Sequence, residues 1–274
     1  RSFEPLARVM LKERTGALRI TEVLALDMPG RGGSALEAGS ALRLGELSLD
    51  DYVTALLGVL SALQRGGRAP DALLAHSMGG LVATLAQARL VAGGRDLAWA
   101  AGVRTVVLLA PVIPLPKPWP IADDGQAALL AAQFVRQDAA AGTVVDIPPL
   151  ATRTLFFEDL GGQVAAGAPS PEALVALGYL APEPYLATAQ LVRVPDSAAP
   201  SVPAGIFEPR HHTGLALLSA GQDFLLRPED HRAMYVHLTS DRGASAFRAL
   251  DDPKAVHDFY ISSPELLGRA LRLF

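Results

Sequence analysis

Cysteine is absent from the 274 residues, so neither a disulfide framework nor a thiolate metal site can be built, and the redox compartment cannot be read from it. Long apolar runs are missing too. The longest, Val103 to Leu115, is broken by Pro111 and Pro114 and falls short of the roughly 20 residues a bilayer span needs. Charge of one sign is not concentrated anywhere. A formal net charge of −4, with Lys, Arg, Asp and Glu spread along the chain, leaves no basic stripe for nucleic acid and no polybasic anchor for a membrane surface. There is no His-Glu-x-x-His, no Asp-rich calcium loop, and the adjacent His211 and His212 lack the helical spacing that would bring both rings to one ion, so no metal site is expected. Dinucleotide and P-loop fingerprints are also lacking, and no cofactor is expected. What remains is a small-molecule partner and a chain, half of it apolar, long enough for one large core with an insert. No charged-then-apolar leader opens the sequence, and a cytoplasmic location is the expectation. Oligomeric state cannot be read from it.

Three apolar, β-branched runs have strand length: Ile20 to Leu26, Asp71 to Ala75 and Val103 to Ala110. Each reads as a buried parallel strand. Between the first two, Ser48 can cap a helix in which Leu49, Tyr52, Val53, Leu56, Leu60 and Leu63 recur at three- and four-residue steps, with Asp51 placed as in a capping box. Gly66 and Gly67 stop it. A second Ala- and Leu-rich helix covers Leu81 to Val91 and closes at Gly93 and Gly94. Strand and helix alternation of this kind predicts a mostly parallel central sheet flanked by helices.

From Pro111 to Gly205 proline becomes frequent, strand-like runs vanish, and the apolar residues fall in short helix-like pieces such as Gln126 to Gln137 and Pro171 to Leu180. A stretch this long between sheet strands reads as an inserted, mainly helical cap, because structureless loops above about 15 residues are uncommon. The expected organisation is core over 1–111, cap over 112–205 and core again over 206–274. Alternation resumes with a strand from Gly214 to Ser219, a helix opened by Pro228 and a strand from Ala244 to Leu250. Last comes a helix with Ser263 as cap, Pro264 at its first position and Leu266, Leu267, Ala270 and Leu271 on its buried side.

The chemistry centres on Ala75-His76-Ser77-Met78-Gly79-Gly80, which sits directly between a buried strand and a helix. A nucleophile placed there needs a tight turn whose neighbours two positions away are small, so that the backbone can bend and the hydroxyl stand clear; Ala75 and Gly79 meet that need. Amides at the start of the following helix, Met78 first among them, can donate to a developing oxyanion.

With Leu26-Asp27-Met28-Pro29-Gly30-Arg31-Gly32-Gly33-Ser34, which looks like a D-x-P-G-x-G-x-S turn, this motif makes the chain resemble the α/β-hydrolase superfamily over nearly its whole length. Ala75 stands where the family usually has Gly. The turn at Asp27 is mostly structural in the family, and Asp27 is kept out of the catalytic set. The resemblance implies a triad in the order nucleophile, acid, histidine. Ala220-Gly221-Gln222-Asp223 is similar to the G-x-x-D turn that presents the acid, and Val256-His257-Asp258-Phe259 lies where the family puts its base. Ser77, Asp223 and His257 are therefore the expected triad, with the Met78 N–H in the oxyanion hole. The hole's second donor is expected upstream of Arg1, because the family's His-Gly loop and its strand are not in the sequence. Arg1 to Ala7 looks like the start of the helix that follows that loop, with Phe3, Leu6, Val9 and Met10 on its apolar side.

Other histidines and acids compete for these roles. His76 should point away from the site as a packing residue, His211 and His212 read as surface residues or pocket walls, and His231 and His237 read as solvated positions on a helix. Asp230, Asp241 and Asp258 do not directly follow a strand. The expected enzyme is a serine hydrolase of the capped esterase-like branch, a carboxylesterase acting on an ester, lactone or thioester of a small, largely apolar substrate. Phe156-Phe157-Glu158-Asp159-Leu160 and Pro182-Glu183-Pro184 suggest that branch. Trp119, Phe156, Phe157, Tyr179 and Tyr185 would line an apolar pocket in the cap or form the cap's own core. Carbon–carbon bond hydrolysis, cofactor-free perhydrolysis and acyl transfer are alternatives on the same triad, and a non-catalytic ligand-binding member of the fold is a further one.

Overall fold

The structure is a computed structural model that describes residues 4–12, 20–29, 49–111, 113, 136–138, 142–144, 202–223, 227–255 and 259–271. Its elements in chain order are α1 (Glu4–Lys12), α2 (Leu49–Arg65), β1 (Ala72–His76), α3 (Met78–Ala92), α4 (Leu97–Ala101), β2 (Thr105–Leu109), β3 (Arg136–Asp138), β4 (Gly142–Val144), β5 (Gly214–Ala220), α5 (Pro228–Thr239), β6 (Phe247–Leu250), α6 (Phe259–Ser262) and α7 (Pro264–Leu271). They fall into two compact units. One holds α2, α3, α4, α5 and the strands β1, β2, β5 and β6; the other holds α1, β3, β4, α6 and α7.

The first unit is built on a parallel sheet in the order β1-β2-β5-β6. Val106, Leu108 and Leu109 of β2 and Leu217, Leu218 and Ala220 of β5 are fully buried, successive residues included, as expected of central strands covered on both faces. β1 stands at one end of the order, and its Leu73 and Leu74 are only half-buried, which is the difference from the fully buried strand expected there. Its register runs from Ala72 opposite Thr105 to His76 opposite Leu109, so the two strands end level.

α3 follows β1 and packs on β1, β2, α2 and α4. Its Leu81, Val82, Ala83, Thr84, Ala86 and Gln87 are all buried, and small residues let it lie close to its neighbours. α2 turns Tyr52, Val53, Leu56 and Leu60 inward, as the spacing predicts, with Asp50 and Asp51 in its first turn. α4 has no counterpart in the sequence reading. Asp96 caps it by accepting from the Trp99 N–H at 2.8 Å, and Gly102 ends it in the left-handed conformation.

The segment that returns to β5 is tied down by side chains. Gln87 donates from Nε2 to the Ile206 carbonyl at 2.8 Å and accepts from the Leu97 N–H at 3.0 Å. The second Asp96 oxygen accepts from the His212 N–H at 2.7 Å, and Thr213 Oγ1 accepts from the Ala98 N–H at 2.8 Å. These buried polar groups are satisfied across elements distant in sequence, which fixes where β5 starts.

In the second unit α1 packs on α6 and α7, with Leu6, Phe259, Tyr260, Leu267 and Ala270 buried. Ser263 is buried ahead of Pro264, and its carbonyl accepts from the Leu266 N–H, so the final helix starts where the sequence places it. Leu266 and Leu271 are only half-buried.

Two further elements differ from expectation. Residues 20–28 form no strand, and Leu24 and Leu26 are 46% and 39% exposed. A buried parallel strand needs neighbours to take its backbone donors and acceptors, and no described strand pairs with this stretch. The second difference is the short antiparallel pair of β3 and β4, Arg136 opposite Val144, inside a region read as helical. The β-branched Thr143 and Val144 favour the extended form, and the strand they build pairs with Arg136 and Gln137, the end of the helix expected there. The remaining cap residues, 112, 114–135, 139–141 and 145–201, lie outside the described residues, including Trp119, Phe156, Phe157, Tyr179 and Tyr185.

Candidate active site

Ser77 occupies the single residue between β1 and α3 and holds φ 50° and ψ −121°. For an L-residue this lies away from every low-energy basin and costs about 1–3 kcal/mol, so the surrounding contacts must over-determine it. They do so from the neighbouring strand. The Ser77 N–H donates to the Leu109 carbonyl at 3.0 Å, extending the β1–β2 ladder one residue past the end of β1, and the Ser77 carbonyl accepts from the Gly80 N–H at 2.9 Å. Extended strand pairing on one side and a first helical turn on the other leave the serine only this sharp bend.

The glycines of the turn divide differently from expectation. A Cβ at Gly79 would meet nothing within 4 Å among the described residues, whereas one at Gly80 would lie 2.8 Å from the Pro111 Cβ. Gly80 is therefore the position where a side chain is excluded, and the group that excludes it follows β2. Ala110, between β2 and Pro111, also has positive φ, at 40°, and its N–H donates to the Leu218 carbonyl at 2.9 Å. Sequence reasoning missed this contact, because nothing local to Gly80 or Pro111 announces it.

Asp223 follows β5 through the Gly221-Gln222 turn, its N–H donating to the Ala220 carbonyl at 3.2 Å. Gly221 is required for space: a Cβ would stand 2.4 Å from the Leu250 carbonyl oxygen, which accepts the Gly221 N–H. All strands of the sheet run parallel, so the residues after β1 and after β5 emerge at the same edge, with β2 between them. Two strand spacings amount to roughly 10 Å. An imidazole bonded to a serine on one side and a carboxylate on the other spans a similar length. His257 follows β6, whose C-terminal end lies at that edge too, but His257 itself falls outside the described residues. Met78 is the first residue of α3, and its N–H belongs to that helix's opening turn.

The other histidines correct the sequence reading in part. His231 is fully buried and His237 half-buried, not solvated; His237 Nε2 lies 2.8 Å from the Val202 carbonyl. His231 shares the buried face of α5 with Met234 and Leu238, whereas His237 is turned to the segment at Val202. Asp241 is a turn residue: its carboxylate accepts from the Ser245 hydroxyl and N–H and from the Gly243 N–H, and these bonds, the Ser245 hydroxyl first, hold its pKa below the ordinary 3.8. Among the described residues no group of three His, Asp or Glu side chains is placed to hold a metal ion, and no helix is long and apolar enough to cross a membrane.

A parallel sheet flanked by helices, with a strained serine between strand and helix, is the architecture of the α/β-hydrolase fold. The chain belongs to the alpha/beta hydrolase family, whose model matches residues 2–265. Solved structures of that fold resemble it. A thermophilic esterase from Thermogutta terrifontis superposes with a TM-score of 0.54 at 17% identity, over 97% of this chain and 83% of the other. A pyrethroid hydrolase from Sphingobium faniae JZ-2 gives 0.53 at 18% identity, over 98% and 90%. A variant of an epoxide hydrolase from Bacillus megaterium gives 0.51 at 11% identity, over 85% and 77%. At such identities the likeness speaks to the fold. No curated protein is matched by the sequence.

Proposed function

We propose that the protein is a serine hydrolase of carboxylic esters that works through an acyl-enzyme on Ser77. The observation that carries this reading is the Ser77 backbone, held at φ 50° and ψ −121° between a parallel strand and a helix. Strain of this kind in a non-glycine residue is retained where it presents a side chain for reaction. In the proposed cycle Ser77 Oγ attacks the acyl carbon while its proton passes to His257. The oxyanion of the tetrahedral intermediate accepts from the Met78 N–H. Collapse breaks the bond to the alcohol oxygen, which takes the proton from His257, and a water molecule activated by the same histidine then hydrolyses the acyl-enzyme. Asp223 accepts from the other ring nitrogen of His257, fixing its tautomer and balancing the imidazolium that forms.

The segment 112–205 is proposed as the cap that shapes an apolar substrate pocket, and the esterase and pyrethroid hydrolase among the similar structures are in keeping with an ester substrate. The test is hydrolysis of p-nitrophenyl esters of rising acyl length by the protein and by Ser77→Ala. Turnover of at least one ester that vanishes in the variant is the expected result. Turnover that survives at more than a few per cent overturns the assignment.

A further inference from the structure

His231 is fully buried on α5, a place where an apolar side chain would be the ordinary occupant, and both ring nitrogens are engaged. Nε2 lies 3.1 Å from the Pro111 carbonyl oxygen, and Nδ1 lies 2.7 Å from Ser219 Oγ on β5. A carbonyl only accepts, so Nε2 carries the proton; in the neutral ring Nδ1 then accepts from the Ser219 hydroxyl. These two bonds close a small circuit at the ends of β2 and β5. Leu218 accepts from the Ala110 N–H at 2.9 Å, the next residue, Ser219, holds His231, and His231 holds the residue after Ala110.

The circuit ends on the serine turn at residues 77–80. Pro111 is the residue whose Cβ would come within 2.8 Å of a side chain at Gly80, the third residue of α3, and the Gly80 N–H bonds the Ser77 carbonyl. Pinning the Pro111 carbonyl therefore fixes the surface against which the first turn of α3 rests, and that turn sets Ser77 and the Met78 N–H. We infer that His231 is a positioning residue for the nucleophile, acting through Pro111 and Gly80 without touching substrate. The inference rests on the assignment of Ser77 as nucleophile and adds to it what holds the serine in place. Ala110, just after β2, also has positive φ, at 40°, a conformation uncommon for a residue with a side chain.

The two amide side chains separate the two bonds of the ring. Gln places its amide nitrogen near the position of His Nε2 and can still donate to Pro111; Asn is one methylene shorter, reaches Ser219 and leaves the Pro111 carbonyl unmet. With p-nitrophenyl acetate as substrate, His231→Asn should lower kcat at least 10-fold with KM within twofold, and His231→Gln should keep kcat within threefold of the parent. A role confined to stability would lower the melting temperature of both variants and leave kcat of the folded fraction alike. Equal kcat for His231→Asn and the parent overturns the inference while leaving Ser77 in its role. Turnover that survives Ser77→Ala overturns the serine assignment and this inference together, so the two failures are told apart. If His231→Asn does not fold, the ring of the unmodified protein decides. Its nitrogen NMR shifts should show a protonated Nε2 and an unprotonated Nδ1, and the reverse tautomer overturns the clamp.

Discussion

Among the described residues, four that are not glycine hold positive φ, and they divide into two pairs with different origins. Ser240 and Ala244, at 60° and 51°, flank the turn between α5 and β6, while Ser77 and Ala110 end β1 and β2 at 50° and 40°. Ser240 has ψ 7°, an ordinary left-handed helix cap whose N–H returns to the Val236 carbonyl. The turn that follows is held by its own neighbours, since the Asp241 carboxylate gathers the N–H groups of Gly243 and Ser245. Ser77, with ψ −121°, lies outside that left-handed basin, and its N–H is held by the Leu109 carbonyl of the next strand. One pair shows chain reversal handled locally; the other shows strain imposed from a distance. Only the second has the signature of a site.

The largest effects should fall on the strained pair's side. Ser77→Ala removes the oxygen proposed to attack, and ester turnover should drop by about six orders of magnitude while circular dichroism stays unchanged. On the proposed triad, Asp223→Asn should lower kcat by about 10⁴-fold, as the histidine base would lose the partner that sets its tautomer. Asp230→Asn should leave kcat within about threefold, since Asp230 serves the first turn of α5 by accepting from the Arg227 N–H. A damaging Asp230→Asn with a harmless Asp223→Asn would move the acid.

Next in size is Gly80→Ala, whose new methyl would press on Pro111 at 2.8 Å. Overpacking of this kind costs about 1–3 kcal/mol, and denaturant unfolding should show it together with a lower kcat. Unchanged stability and kcat would mean that the end of β2 yields freely and does not set the serine turn. On the relaxed side, Ser240→Gly should be neutral or stabilising by up to about 1 kcal/mol, as relief of a left-handed L-residue is set against the lost bond from Ser240 Oγ to Glu208. A marked loss of stability would show that this turn, too, is strained from outside.

The smallest effect concerns Asp241. Its carboxylate is bonded in the folded state, so its pKa is depressed there relative to 3.8. The stabilisation is fully present above that value and is lost as pH falls through the lower, folded-state value. Stability of the protein and of Asp241→Asn should accordingly differ at neutral pH and converge in acid. A gap that widens in acid would reverse the sign.

Much of this was legible in the sequence for a physical reason: buried parallel strands and amphipathic helices write their burial into local periodicity. Thus α2 and α3 lie within a few residues of their expected bounds, α5 and α7 open at the prolines expected to open them, and the serine turn lies where a strand gives way to a helix. Residues 20–28 show the limit, since an apolar run states a preference for burial and cannot supply the strand it needs to pair with. His231 was readable and misread. It lies three, four and seven positions before Met234, Tyr235 and Leu238, on the apolar stripe of α5, and a polar residue on that stripe marks a buried bond. The Gly80–Pro111 contact had no local signal, being made by residues brought together only when β1 and β2 pair.

The central claim is that the bend at residue 77 presents an activated serine. Reaction of the protein with a fluorophosphonate probe, followed by mass mapping of the labelled peptide, tests it most directly. One adduct is expected, on Ser77, forming readily at pH 8 and slowing as pH falls below about 6 to 7, where a histidine base takes up its proton. No adduct, or an adduct on another serine with Ser77 unmodified, would contradict it.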